Sequence, residues 1–122
     1  MIMITMNTKR MKLEVTGHAL AEEGDEFREI CAAASALAQG LMYSIINYND
    51  GEGTMKSIQY RDDPGDLKIK VFPETWAERA FRQRFDIYGD GLQLLAESHP
   101  QSVTFIRDGE RIIATKEEQT NE

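Results

Sequence analysis

The sequence predicts an α+β domain: an antiparallel sheet of about four to six strands with two helices packed on one face. Three patterns predict it. Apolar and polar residues alternate in short runs near both ends and in the middle of the chain. An alanine-rich run repeats its apolar residues at helical spacing. A second helical stripe follows the central pair of alternating runs.

Ile2, Ile4 and Met6 alternate with Met3 and Thr5, and Met11, Leu13 and Val15 alternate with Lys12, Glu14 and Thr16, so two strands joined by a polar turn open the chain. The second strand ends at Gly17-His18, where Gly17 helps the backbone leave the sheet. The stretch from Ala19 to Glu26 reads as an acidic loop, with Gly24 as a hinge and Asp25 as the N-cap of the first helix. Phe27, Ile30, Cys31, Ala34, Ala38, Leu41, Met42 and Ile45 form the apolar stripe of that helix, which the turn residues from Asn47 to Gly53 end. Two strands follow around Ile58-Tyr60 and Leu67-Ile69-Val71, with Pro64-Gly65 in the reversal between them. Pro73 is placed in the first turn of a second helix whose stripe is Ala77, Phe81, Phe85, Tyr88, Leu92 and Leu95, weakened in the middle by Gly89 and Gly91. Pro100 stops it. Val103 to Ile106 then forms a strand, and Asp108-Gly109 turns into Ile112-Ile113-Ala114.

With 122 residues and no linker, repeat or low-complexity segment, the chain is expected to form one domain over 1–115 with a polar tail over 116–122. The 21 acidic residues against 14 basic ones, a net charge of −7, argue against a nucleic-acid partner. The apolar N-terminal residues are too few for a signal peptide or a membrane span, so no membrane is expected as a partner. One cysteine allows no intrachain disulfide and points to a reducing compartment, the cytoplasm.

Chemistry concentrates on that cysteine. A lone cysteine on a helical apolar stripe is most often a small core residue. Yet Cys31 is placed early in its helix, and His18 lies thirteen residues upstream across one loop, so a thiol and an imidazole base can meet. His99, before Pro100, has no ligand or base partner at useful spacing.

Gly17-His18-Ala19, followed after a short loop by Ile30-Cys31-Ala32-Ala33-Ala34-Ser35-Ala36-Leu37, resembles the signature of the ribosomal-processing cysteine protease family (Prp, the YsxB-like proteins). The run Gly91-Leu92-Gln93-Leu94-Leu95-Ala96-Glu97, then Pro100 and Val103, is similar to that family's second helix and last strand. The resemblance covers about Met11 to Ile106 and implies a dimeric cysteine peptidase, encoded by a host or a phage, with Cys31 as nucleophile and His18 as general base. It places Ser35 one turn beyond the cysteine on the same face; with Ser35, the acidic loop's Gly24 and Asp25 are expected to bind an extended substrate as that loop closes, an oxyanion is expected to be held by amides near the helix start, and no metal or cofactor is expected. The implied substrate is a protein segment, either the N-terminal extension of ribosomal protein bL27 or a phage capsid or scaffold protein. Two positions depart from the family. The loop between the histidine and the cysteine is one residue longer, and Arg28 stands where an aspartate is usual. The alternative reading is a non-catalytic binding or assembly module of the same fold, and a redox or acyl-transfer enzyme using the same pair is a third.

Overall fold

Strands β1 (Ile2–Asn7) and β2 (Lys12–Thr16) pair antiparallel, as their alternation predicts, and place Ile2, Ile4, Met6, Leu13 and Val15 on one buried face. Helix α1 (Gly24–Asn49) follows, then β3 (Met55–Asp63) and β4 (Asp66–Pro73) as an antiparallel hairpin. A 3-10 turn at Thr75–Ala77 leads into α2 (Glu78–Ser98), and β5 (Val103–Arg107) and β6 (Glu110–Ile112) complete a six-stranded sheet in the order β3-β4-β2-β1-β5-β6. This is a computed structural model, and it describes residues 1–17, 24–49 and 53–113. The expected tail over 116–122 lies outside the described residues.

The fold is the α+β arrangement that the sequence predicts, and its sheet is mostly antiparallel. One pair differs: β5 runs parallel to β1. A helix that spans the sheet returns the chain to the end it came from, so β5 runs in the same sense as β4, the strand before α2. Two antiparallel steps separate β4 from β1, through β2, so β4 and β1 share a direction, and a strand inserted beside β1 after α2 must be parallel to it.

The buried sheet face meets both helices in one core, with Phe81, Phe85 and Phe105 the largest fully buried side chains. By length and composition alone α1 is apolar enough to cross a membrane. Here Phe27, Ile30, Ala34, Ala38, Leu41 and Ile45 are buried in the core. On the other sheet face Glu14 lies between Lys12 and Lys68, at 3.2 and 3.5 Å. Burial alone would push its carboxyl up, but the two ammonium groups outweigh it and hold Glu14 below its ordinary value.

Several boundaries differ from the sequence reading. Pro73 is the last residue of β4, and α2 starts five residues later, beyond the 3-10 turn. Gly89 and Gly91 do not interrupt α2. A Cβ at Gly91 would press on Leu37 at 2.9 Å and one at Gly40 on Tyr88 at 2.7 Å, so these glycines let the two helices approach closely. Helix α1 runs on to Asn49, whose side-chain oxygen accepts from the backbone N–H groups of Thr54 (2.9 Å) and Met55 (3.1 Å) and so ties the helix end to the start of β3. Strand β6 ends at Ile112 rather than running on to Ala114.

Candidate active site

Cys31 is half-buried on α1 and lines an open cleft of about 260 Å³. Helix α1, the end of β2, the start of β1 at Ile2 and the β3–β4 hairpin build the cleft. Helix α1 contributes Cys31, Ser35 and Gln39, which recur every four residues and therefore share a face. The end of β2 contributes Val15, followed by Gly17. The tip of the β3–β4 hairpin, from Asp62 to Leu67, forms the opposite wall. Hydrogen bonds join these parts: Gly17 N–H donates to the Gly65 carbonyl at 3.0 Å, and the Gln39 amide donates to both carboxylate oxygens of Asp62, at 3.3 and 3.4 Å.

Gly17 is where the local sequence requires glycine. Its φ of +97° is one that residues with a Cβ rarely adopt, and a Cβ there would overlap the carbonyl oxygen of Met1. The chain therefore leaves the sheet beside the cleft at the residue before His18.

Of the predicted site residues, Cys31 and Ser35 come together in the cleft, with Ser35 exposed one turn beyond the thiol. His18 lies outside the described residues, and so does the side chain of Asp25. Gly24 and Asp25 belong to the first turn of α1, so Gly24 is not a hinge within a loop and Asp25 follows the helix start rather than capping it. Cys31 is the eighth residue of α1, about 10 Å along the axis from its start at ~1.5 Å per residue. Its own amide belongs to the helical ladder, which leaves the amides of residues 24–26 as the helix-start donors without an intrahelical acceptor among the described residues. Arg28 is exposed one turn before the cysteine.

Sequence reasoning missed Gln39 and the hairpin tip. Gln39 was accessible in principle, because the four-residue step from Cys31 to Ser35 continues to it. The hairpin wall was not, since its place depends on the pairing of β4 with β2 and no local pattern encodes that.

No protein-family model and no curated protein matches this sequence. Solved structures do. SMU.848 from Streptococcus mutans is similar at 24% identity and a TM-score of 0.67, over 88% of this chain and 93% of that one. The ribosomal processing protease Prp from S. aureus, solved in complex with a substrate peptide, is similar at 19% identity and a TM-score of 0.65, over 88% of this chain and 99% of that one. The chain has a Prp-like fold. The same S. aureus protease in complex with a covalently linked product peptide matches at 18% identity and a TM-score of 0.58, again over 88% and 99%. The likeness thus covers 88% of this chain, and the S. aureus protein is solved with a peptide.

Proposed function

We propose that this protein is a cysteine endopeptidase, with Cys31 as nucleophile and His18 as general base. The observation that carries this reading is the position of Cys31 in an open cleft lined also by Gly17, the residue before His18, on a fold shared with a peptide-bound protease. The field of a helix start fades within the first turn, so at its eighth position Cys31 draws little activation from it, and the thiolate needs a base. His18 takes the thiol proton. The sulfur attacks the peptide carbonyl, forming a C–S bond and an oxyanion held by amide donors; the C–N bond then breaks as the imidazolium protonates the leaving amine. Water, deprotonated by His18, hydrolyses the thioester and restores the thiol.

An extended protein segment is the substrate in this reading, the N-terminal extension of bL27 first and a phage structural protein second. We place the protein in the cytoplasm, where its single thiol stays reduced. Iodoacetamide should alkylate Cys31 rapidly at neutral pH, and the alkylated protein should cleave no peptide. An inert thiol in the native protein would overturn the proposal.

Two predictions arise here. Arg28→Asp is expected to favour the protonated imidazole, because a carboxylate near it stabilises the cation that an arginine disfavours. The acid limb of the kcat/KM profile should move to higher pH, while the melting temperature of this exposed-site variant stays within about 3 °C. Superimposable profiles would remove Arg28 from the mechanism. We also propose a homodimer. Tyr43 and Ile46 on α1 and Ile87 and Leu94 on α2 are exposed apolar surface that a second copy would cover. Light scattering should give twice the chain mass at micromolar concentration, and a monomer mass would refute it.

A further inference from the structure

Resting on the peptidase reading, we propose that Gln39 is a positioning residue: by holding Asp62 it fixes the β3–β4 hairpin tip as the cleft wall facing Cys31, and so sets the width of chain that reaches the thiol. Gln39 lies two helical turns beyond Cys31 on the same face of α1. Its Nε2 donates to Oδ1 and Oδ2 of Asp62 at 3.3 and 3.4 Å.

The wall needs such a tie. Strand β3 is at the sheet edge and pairs only with β4 among the described strands, and its outer half is exposed. The register of β4 with β2 ends at Asp66 opposite Thr16, and Asp62 and Asp63 pair with Leu67 and Asp66, so Asp62 sits in the last paired rows of the edge strand and only Pro64 and Gly65 project beyond them. The bond from Gly17 N–H to the Gly65 carbonyl anchors one side of this tip to the strand end. The ion pair of Arg61 with Asp66, at 2.8 Å, stiffens the hairpin within itself. Gln39 supplies a tie from the tip across the cleft to the helix that carries the thiol. Because both partners are exposed, the tie can open and close at little cost, which makes the cleft width adjustable by one side chain.

The test compares two neutral thiol reagents on Cys31, the small iodoacetamide and the bulky N-(1-pyrenyl)maleimide, in the full-length protein. Taking the ratio of their rates cancels any change in the thiol itself. In Gln39→Glu two carboxylates face each other, the wall is released, and the bulky reagent should gain at least about fivefold relative to the small one, the scale of a lost surface interaction. Gln39→Glu combined with Asp62→Asn exchanges donor and acceptor and should return the ratio to that of the wild type. Gln39→Leu, which removes the donor without adding charge, should change the ratio in the same direction as Gln39→Glu. A ratio unchanged in both single variants, or one not restored in the double variant, overturns the proposal. The reagents require no peptide cleavage, so a wild type that cleaves nothing while the ratio behaves as stated sinks the peptidase reading and leaves the tie standing.

Discussion

Replacing Cys31 by alanine is expected to abolish peptide cleavage, lowering the rate by at least about a thousandfold, because removing a nucleophile removes the covalent pathway and not one contribution to it. The fold should survive. Cys31 is half-buried and only borders the core, alanine is smaller and favours helix, and the change in stability should stay within about 1 kcal/mol. Urea unfolding checks the second statement and product formation the first. Wild-type cleavage by a folded Cys31→Ala protein would assign the activity to another residue.

Gly17→Val is expected to lose stability and activity together. Forcing a side chain to a φ of +97° costs about 1–3 kcal/mol. Overlap with the Met1 carbonyl adds to that, for a total of about 2–4 kcal/mol out of the ~5–15 that a domain of this size commands. Relief requires the end of β2 to move away from β1, which breaks the bond to Gly65 and shifts the point from which the chain continues to His18. Gly109→Ala is the control. Its φ is +87°, but nothing lies within 4 Å of an added Cβ, so it should cost only the backbone strain. Equal losses at the two positions, measured by urea unfolding, would show that the contact with Met1 has no weight.

Much of this fold is legible in the sequence because each element has a wet side and a dry side. The alternation from Ile2 to Val15 and the stripe from Phe27 to Ile45 name the buried residues almost one by one, since burial repeats with the period of the backbone. What periodicity does not carry is where elements lie relative to one another. Val103 to Ile106 reads as a strand, but nothing local says that it inserts beside β1. Gly89 and Gly91 read as weak points by propensity, and only tertiary neighbours make them contact points, Met6 and Arg107 of the sheet at Gly89 and Leu37 of α1 at Gly91. Pro73 fits a helix start as well as the last residue of a strand, and propensity does not choose between them.

The same division holds at the site. Cys31 and Ser35 are identifiable because they follow one another on a helix in a motif that resembles a known signature, and the structure puts both in one cleft. Gln39, Asp62 and Gly65 join them only through tertiary placement. The shift of the helix start to Gly24 alters the chemistry expected of Cys31, since two more residues, about half a turn, separate it from the helix-start field.

The most direct measurement is mass spectrometry of a panel of peptides, the bL27 N-terminal segment and segments of phage structural proteins, after incubation with the wild-type protein and with protein alkylated at Cys31. The account predicts that the wild type breaks a single peptide bond in at least one of them and that alkylation stops it. Peptides left intact by the wild type throughout the panel, with Cys31 unreactive at neutral pH, would contradict it and favour a binding module built on the same fold.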